Sequence, residues 1–331
     1  MATTLPPVKL EMWNQRSWEY QDVGATMIQN EMAPPVQAPY ERGEFRVGDA
    51  RANFLHVNAA NVSKYDVGER YGKTGTITTY ENKPISAGFM FSNADLANVE
   101  LHGYMSVGAM LSDYQGWMTG LLRKFKEYYL YNSVVLDNNN YAGAAYYNNA
   151  ATPWSTIATA NPKSDIDAGK DLVPEINAMS ISWQGMQWAL RNQTFLSQVQ
   201  ITATDRNAAQ LEPEVAAFAN WVNLDYIFIS KGKLITNSAD PTDTTKVDIW
   251  GDSAVLFHYN PSPSPLTPVW LTQNYWAPLG NGANTGGWFW AHDEMSDKIS
   301  GGVGSQTWDL WNYYQFLVQR KDLAYRIDNL Y

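Results

Sequence analysis

The sequence of 331 residues predicts a mixed α+β fold. A long amphipathic helix is indicated after Ser112 and Asp113, and strands alternate with helices from Asn177 onward. Runs of β-forming residues lie before the long helix and near the C-terminus. No internal repeat is visible. These features indicate a central unit of sheets and helices that follows an extended N-terminal region.

Residues 1–45 are predicted to form an arm rather than a domain. The segment is polar, and its helical pattern is confined to residues 19–32. Its prolines are Pro6, Pro7, Pro34, Pro35 and Pro39. Prolines fix an extended path and remove backbone donors, so the arm cannot build a core of its own. We expect it to be held by another surface, for which a neighbouring subunit is the natural candidate.

Two β-rich runs follow the arm, at residues 71–80 and 84–91. Only residues 81–83 separate them, which favours a long hairpin with little apolar content. Because such a hairpin is not stable alone in water, it should lie on another surface.

The long helix is predicted at about residues 112–136, ended by the Asp-Asn-Asn-Asn run at 137–140. Its spacing predicts an inward face and an opposite, charged face. The expected inward residues are Trp117, Leu121, Leu122, Phe125, Tyr128, Tyr129 and Asn132. The expected outward residues are Arg123, Lys124, Lys126 and Glu127.

The second half of the chain alternates strands with helices. Residues 137–165 are loop-like, 261–265 form a stiff proline-rich connector, and 280–287 form a glycine-rich loop. Strands are predicted at 178–182, 225–230, 247–250, 254–259, 288–291, 308–318 and 323–327, and helices at 183–192 and 212–222.

The composition excludes several classes of function. With no cysteine there is no disulfide framework, thiolate metal site or cysteine nucleophile, and four histidines leave little material for a metal centre. The chain has 33 acidic and 23 basic residues, a net charge of −10, which argues against a dedicated nucleic-acid reader. It shows no signal-peptide pattern and no apolar run long enough for a membrane span.

Few charges are combined with many aromatic residues, 17% and 14% of the chain. Aromatic residues are enriched both in large cores and in surfaces that are buried against partners. Composition alone leaves both interpretations open.

Candidate ligand-binding motifs are weak. Residues 165–171 resemble the start of a calcium loop, but Gly169, Lys170 and Ile176 stand where ligands or the loop glycine belong, so a polar turn is the preferred interpretation. The glycine-rich segments 280–287 and 301–304 lack the Lys-Ser/Thr of a phosphate loop and are interpreted as flexible loops.

Catalytic motifs are no stronger. His292, Asp293, Glu294 and Asp297 form an acidic cluster that is interpreted as an exposed loop, although a spatial carboxylate pair for glycoside hydrolysis stays open. There is no Gly-x-Ser-x-Gly nucleophile elbow. The glycosylation patterns at Asn61 and Asn192 have no secretory signal beside them. We therefore predict no catalytic, cofactor or metal site, and no enzyme.

Six segments in order carry a resemblance to a known family. The most specific one, at 248–259, reads Asp-Ile-Trp-Gly-Asp-Ser-Ala-Val-Leu-Phe-His-Tyr and precedes a proline-rich connector. At 235–237 the run Ile-Thr-Asn is followed by Ser238, where the family often has Thr. The others lie at 177–183, 188–192, 211–229 and 320–329. In these segments the chain resembles the major capsid proteins of tailed bacteriophages, well over 177–331 and by element order over 1–176.

The resemblance implies a named anatomy. The N-terminal arm would span 1–45 and an extended β-hairpin loop 46–95. A peripheral domain would comprise 96–175 and 286–331, with a spine helix at about 112–136. An α/β axial domain would span 176–285.

The resemblance also implies partners and a location. Copies of the chain would form pentamers and hexamers of an icosahedral shell around double-stranded DNA, contacted non-specifically, with a portal and a decoration or cement protein. We expect a separate scaffolding protein and no cleaved N-terminal segment, because arm and loop already occupy the residues before the spine helix. The shell would be assembled in the host cytoplasm and belong to the virion, without a membrane.

Covalent strengthening of the shell is not expected. Some relatives cross-link a loop lysine to a neighbour's asparagine, and Lys64, Lys73 and Lys83 lie in range, but no signature selects one. The net negative charge suggests a non-basic shell lining that lets DNA pack without adhering.

Two alternatives stay open. An aromatic-rich β protein that binds or cleaves carbohydrate would account for the tryptophans and tyrosines. An encapsulin-like nanocompartment would use the same fold for a shell without a viral genome.

Overall fold

The computed structural model describes residues 28–48, 75–102, 106–199, 213–235, 246–263, 269–277, 288–295 and 305–331. The helices are α1 (Gln29–Met32), α2 (Asn93–His102), α3 (Val107–Tyr129), α4 (Pro162–Leu172), α5 (Trp183–Arg191), α6 (Gln193–Gln198) and α7 (Pro213–Trp221). The strands before α5 are β1 (Pro35–Ala38), β2 (Arg42–Gly48), β3 (Gly75–Glu81), β4 (Lys83–Ser92), β5 (Tyr147–Asn149) and β6 (Ala178–Ser182). Those after α7 are β7 (Tyr226–Ser230), β8 (Lys233–Ile235), β9 (Lys246–Asp248), β10 (Ala254–Phe257), β11 (Leu271–Trp276), β12 (Trp288–Met295), β13 (Ser305–Val318) and β14 (Ala324–Asp328). The predicted α+β class is confirmed.

A central five-stranded sheet has the order β5-β14-β10-β6-β7. Every residue of β6 and β10 is buried, because both faces of the sheet are covered. Residues from α4, α5, α6 and α7, among them Ile166, Met186, Phe195 and Phe218, form the core on one side. Segments from the arm and from the region after α3 contribute to the core on the other side.

A second five-stranded sheet is organised by the 14-residue strand β13. One edge of β13 pairs with β4, and its other edge pairs first with β12 and then with β11. Helix α3 packs on this sheet through a core that contains Met118, Leu122, Trp288, Trp308 and Leu310. The long helix and the second sheet therefore form one layered unit.

The hairpin predicted between residues 71–80 and 84–91 is wrong. Strand β3 pairs with β2, whereas β4 pairs with β13. A single residue, Asn82, separates β3 from β4, and the tightest common hairpins need two loop residues to reverse the chain. Ile85, Ala87, Phe89 and Phe91 alternate along β4 and pack against the core under α3. This non-local burial determines the partner of β4.

The long helix begins earlier than predicted. Its N-cap is Ser106, whose hydroxyl accepts a hydrogen bond from the Ala109 amide at 3.1 Å, and Ser112 lies inside the helix. After Tyr129 the helix continues as a π-helix at Leu130–Val135. The predicted end is confirmed, since Asp137 accepts a hydrogen bond from the Asn139 amide at 2.9 Å and starts a separate turn.

The part of the arm from Ile28 to Ala38 is held by its own chain, and the expected contact of the arm with a neighbouring subunit stays a prediction. Ile28, Met32 and Ala33 are fully buried in the core between the two sheets. Strand β1 pairs in parallel with β11, and the Gln273 amide donates to the Pro34 carbonyl at 3.1 Å. Two prolines are tolerated here because β1 is an edge strand. Residues 1–27 of the arm lie outside the described residues.

The elements predicted between 178 and 257 are confirmed to within two residues at each end. The loop predicted at 137–165 contains the short strand β5 and the first turn of α4. The sequence did not indicate α2, α6, β1, β8 or β11.

The two sheets exchange strands across the predicted domain boundary at 285/286. Strand β11 joins the sheet of β13, while β14 returns to the central sheet beside β10. The guanidinium of Arg326 in β14 donates to the carbonyl of Val135 at 2.9 Å and to Asn138 at 2.8 Å. This arginine fastens the end of the long helix to the last strand. The domain limits themselves stay a prediction.

Asn192 joins two helices to a preceding loop. Its side-chain carbonyl caps α6 by accepting from the amides of Thr194 (2.9 Å) and Phe195 (3.4 Å). Its amide donates to the carbonyls of Ile157 (3.3 Å) and Ala160 (2.8 Å). All four hydrogen bonds involve a side chain that is fully buried.

We predict that Asn192→Ala lowers the free energy of unfolding by about 2–4 kcal/mol, because it removes an N-cap and takes the side-chain donor from the buried Ala160 carbonyl, whereas the Ile157 carbonyl keeps the Gln193 amide as a donor. Urea denaturation followed by circular dichroism measures this loss. Ser197→Ala, an exposed position on the same helix, should change the free energy by less than about 1 kcal/mol. Equal losses in both variants would contradict the assigned role of Asn192.

Candidate assembly surfaces

Helix α3 is rotated relative to the prediction from its sequence. Of the residues expected to face inward, Leu122 is buried, whereas the others are exposed. Three residues expected to face solvent, Arg123, Lys126 and Glu127, are buried. The predicted inward face is therefore wrong for this helix, and the reason lies in the polar partners that the sheets supply.

Lys126 is fully buried between α3 and the second sheet. Its amino group donates to Asn312 Oδ1 at 3.1 Å and lies 4.4 Å from the ring centroid of Tyr314 and 5.0 Å from that of Trp288. Burial, and secondarily Arg123 one turn earlier, hold the pKa of Lys126 well below its usual range. The amide and the aromatic faces replace the water that the amino group loses.

Glu127 is fully buried on the neighbouring side of the helix. Its carboxylate accepts hydrogen bonds from the hydroxyl of Ser230 in β7 and from the amide of Ile28, the latter at 3.2 Å. Burial raises the pKa of Glu127 to about 7, and the hydrogen bonds from Ser230 and Ile28 oppose this shift. The helix is thus fixed to the central sheet and to the arm by one side chain.

With its polar side turned inward, α3 presents an aromatic stripe to solvent. Tyr114, Trp117, Leu121, Phe125 and Tyr128 recur at spacings of three and four residues, so they share one face of the helix. Trp117 is 57% exposed and Phe125 is 49% exposed. We call these five residues the spine stripe.

The spine stripe is large for a surface that stays in contact with water. It extends about 21 Å along the helix at 1.5 Å per residue. At about half exposure, five large apolar side chains present roughly 400–500 Å². That area matches the largest apolar patches of ordinary monomers, which are often functional, and is about half of one partner's share in a stable interface. The stripe has the size of the apolar centre of an interface.

A second aromatic surface covers the outer face of the sheet, on the side opposite α3. The ring of Tyr313 lies 5.1 Å from Trp276, 6.2 Å from Phe289 and 6.5 Å from Trp311, measured between centroids. All four side chains are only half-buried. The unit formed by α3 and the second sheet therefore displays aromatic side chains on both outer faces.

The calcium-like segment belongs to α4, so the polar turn predicted there is wrong. Asp165 accepts hydrogen bonds from the Trp154 indole at 2.8 Å and from the Ala151 amide at 3.2 Å. A Cβ on Gly169 would lie 2.6 Å from the Tyr325 ring and 2.8 Å from Leu256, so glycine permits α4 to pack closely on the central sheet. Within the described ranges no group of three or more His, Asp and Glu residues is placed to hold a metal ion.

The acidic cluster was interpreted as an exposed loop, and this is wrong for His292, Asp293 and Glu294, which lie in strand β12. His292 and Asp293 are successive residues of β12 and point to opposite faces of the sheet. The His292 ring packs at a tilt against the Trp308 ring, with 4.8 Å between centroids. Glu294 lies in the same strand. The described residues do not include Asp297, the two glycine-rich segments or Asn61. Asn192 is buried and fully hydrogen-bonded, which closes it to glycosylation in the folded chain.

A polar groove of about 370 Å³ lies between α4, α6 and the end of α7, bordered by Asp167, Asp171 and Trp221 among others. The Trp221 ring packs against Phe195 and Phe218, and the amino group of Lys163 lies 5.5 Å from its centroid. Trp221 therefore does not present the open aromatic platform that sugar binding needs.

Comparison with known proteins identifies the fold. No protein-family model matches the chain, and no curated protein matches it by sequence. A phage-related protein from Bordetella bronchiseptica superposes with a TM-score of 0.68 at 13% identity, over 97% of both chains. A prophage capsid protein from Escherichia coli gives a TM-score of 0.51 at 11% identity, covering 98% of this chain and 99% of its own. An encapsulin from Synechococcus elongatus gives 0.52 at 13% identity, covering 96% and 94%.

The chain therefore has the fold that these phage-related, prophage and encapsulin proteins share. The resemblance found in the sequence is confirmed at the level of the fold. None of the helices described here has the length and apolar character of a membrane-spanning segment.

Adjacent leucines test the rotation of α3, since Leu121 is 47% exposed and Leu122 is 5% exposed. We predict that Leu122→Ala lowers the free energy of unfolding of the unassembled chain by about 2–5 kcal/mol, because it opens a cavity in the core. Leu121→Ala should change it by less than about 0.5 kcal/mol. Chemical denaturation of the two variants measures the difference, and the reverse order would contradict the rotation described here.

Proposed function

We propose that the protein is a non-enzymatic structural subunit that assembles with copies of itself into a closed protein shell, the capsid of a tailed bacteriophage. The spine stripe carries this proposal, because a chain with this fold exposes, on its longest helix, an aromatic surface of the size of an interface's apolar centre. The B. bronchiseptica and E. coli neighbours support the phage interpretation by their descriptions as phage-related and capsid proteins.

Interfaces of a shell must close into rings by contacts between different patches of successive subunits. The spine stripe and the outer aromatic surface at Tyr313 are two such patches on opposite sides of one unit. Since the chain has no cysteine, copies of it cannot be joined by disulfide bonds. The contacts between subunits are therefore non-covalent or involve a different covalent bond. Aromatic contacts of this kind supply much of the affinity in protein interfaces.

The finer anatomy forms part of the proposal. The arm, extended loop, peripheral domain and axial domain would follow the limits given above, and the subunits would form pentamers and hexamers around double-stranded DNA. A separate scaffolding protein, a portal and a decoration or cement protein would act with the shell, assembled in the host cytoplasm and retained in the virion. Of the three lysines in range of a possible cross-link, Lys83 is the first residue of β4 and is exposed. The other two, Lys64 and Lys73, lie outside the described residues.

The encapsulin neighbour supports a second candidate function, a shell that encloses protein rather than a genome. The phage-related protein superposes best of the three, at 0.68, but the prophage capsid protein and the encapsulin score alike, at 0.51 and 0.52, so the contents of the particles must separate the two functions. The polar groove gives no support to a sugar-binding function, because the ring of Trp221 is packed against its neighbours.

One sizing experiment separates the candidates. When the protein is isolated from the cells that produce it, we expect particles of megadalton mass that contain double-stranded DNA. Light scattering measures the mass of the particles, and the DNA that survives nuclease treatment is the DNA that they enclose. Particles that hold protein and no DNA would support the encapsulin function instead. A monomer of 37.2 kDa with affinity for sugars would overturn the proposal.

The spine stripe is tested by Phe125→Glu, which places a carboxylate in the centre of the stripe. Burying that charge without a partner costs several kcal/mol, so particles should be lost in favour of small species in sedimentation velocity. Phe125→Leu keeps the apolar surface and should still assemble. Circular dichroism checks that both variants fold, and normal particles from a folded Phe125→Glu would rule out the stripe as an interface.

A further inference from the structure

Three separate parts of the chain meet at the carboxyl group of Glu127. The helix α3 supplies the side chain, β7 of the central sheet supplies the Ser230 hydroxyl, and the arm supplies the Ile28 amide, whose nitrogen lies 3.2 Å from Oε2. Ile28 is fully buried, and its carbonyl begins helix α1 by accepting from the Met32 amide at 2.7 Å. Glu127 therefore binds the arm at Ile28.

Two of the cations nearest in sequence contact groups other than Glu127. Lys126 points to Asn312 in the second sheet, and the amino group of Lys231, which follows Ser230, lies 4.3 Å from the ring centroid of Trp183. Arg123 is one turn earlier on α3. Among the described residues, Glu127 accepts hydrogen bonds from two neutral donors, the Ser230 hydroxyl and the Ile28 amide.

In the part of the chain that the structure describes, the other groups that shift the pKa of Glu127 are acidic or neutral. Glu31 of α1 faces it, and its charge disfavours ionisation of Glu127. Tyr259 in turn faces Glu31. The Trp250 indole, which packs on Tyr131 with 5.2 Å between centroids, favours the ionised form, although its N–H has no hydrogen-bond partner within normal distance.

We propose that Glu127 is a proton-dependent anchor for the arm, so that proton binding by this carboxyl group and docking of the segment at Ile28–Ala33 favour each other. Docking encloses the carboxyl group between the arm, α3 and the central sheet, and release of the arm returns it to water. The docked state therefore favours the neutral acid, and the released state favours the carboxylate.

The direction of the pH dependence follows from the two states. The pKa of Glu127 is about 7 in the docked state, against an ordinary value of 4.5. Docking is strongest below pH 4.5, weakens as the pH rises from 4.5 to 7, and is constant above. Between pH 5 and pH 8 the docking equilibrium should change by at most about 70-fold. The anchor would act in the single chain, whether or not the chain forms a shell.

The absence of cysteine from the chain makes a site-specific test available. Ala33 is fully buried, so the thiol of an Ala33→Cys variant is labelled only when the arm segment opens. Ser133→Cys provides an exposed thiol on the π-helix, and the ratio of the two labelling rates removes the intrinsic pH dependence of the reagent. We expect this ratio, measured on the full-length chain from pH 5 to pH 8, to rise by tens of fold.

Glu127→Gln in the same background keeps the shape and the hydrogen-bonding capacity of the side chain but cannot titrate. The rate ratio should then lose most of its pH dependence and keep only the part contributed by Glu31, whose pKa burial also raises. An unchanged pH dependence in a Glu127→Gln variant that folds, or a flat ratio in the parent, would overturn the anchor.

Ser230→Ala tests the anchor even if Glu127→Gln does not fold. Because the Ser230 hydroxyl favours the ionised carboxylate, its removal should move the midpoint of the labelling transition to higher pH. Glu31→Gln should move it to lower pH, since the charge of Glu31 raises the pKa of Glu127. Midpoints that do not move, or that move in the opposite directions, would refute the proposal.

Discussion

The burial of Lys126 and Glu127 is the constraint on which the arrangement of the molecule depends. Two adjacent polar side chains leave water together, and each needs donors or acceptors that only a particular environment supplies. Asn312 meets this need from the second sheet, and Ser230 from the central sheet. A helix that satisfies both has one permitted rotation about its axis. The position of the long helix between the two sheets, and the path of the arm at Ile28, follow from that rotation.

The same rotation determines what the chain shows to solvent. With the polar side of α3 turned inward, Trp117 and Phe125 face outward, and no described element covers them. The outer face of the second sheet adds Tyr313 and its aromatic neighbours. In the proposed shell these surfaces are buried between subunits, which accounts for few charges and many aromatic residues in one chain. Composition alone left a large core and large interfaces as alternatives, and the exposed aromatic side chains favour interfaces.

Local patterns predicted the parts of the fold that local forces determine. The strand β6, the helix α5 and the strand β7 were predicted to within a residue or two, because short runs of β-forming residues and helical periodicity are properties of neighbouring residues. The partner of β4 was missed because it lies more than 200 residues away, in β13. The inward face of α3 was missed because apolar residues cover two adjacent sectors of the helix, and periodicity does not distinguish burial inside a chain from burial between chains.

The sequence by itself determined the α+β class, most element positions in the second half, and a resemblance of ordered segments that the fold confirms. These features are encoded in spacing and composition, which need no knowledge of distant contacts. Only the tertiary structure decided which side of the long helix is buried, which strand pairs with β4, and where Glu127 finds its donors. These outcomes depend on hydrogen-bond partners and packing surfaces that are far apart in the chain. Burying a polar group without a partner is costly, and the partners are in place only once the sheets have formed.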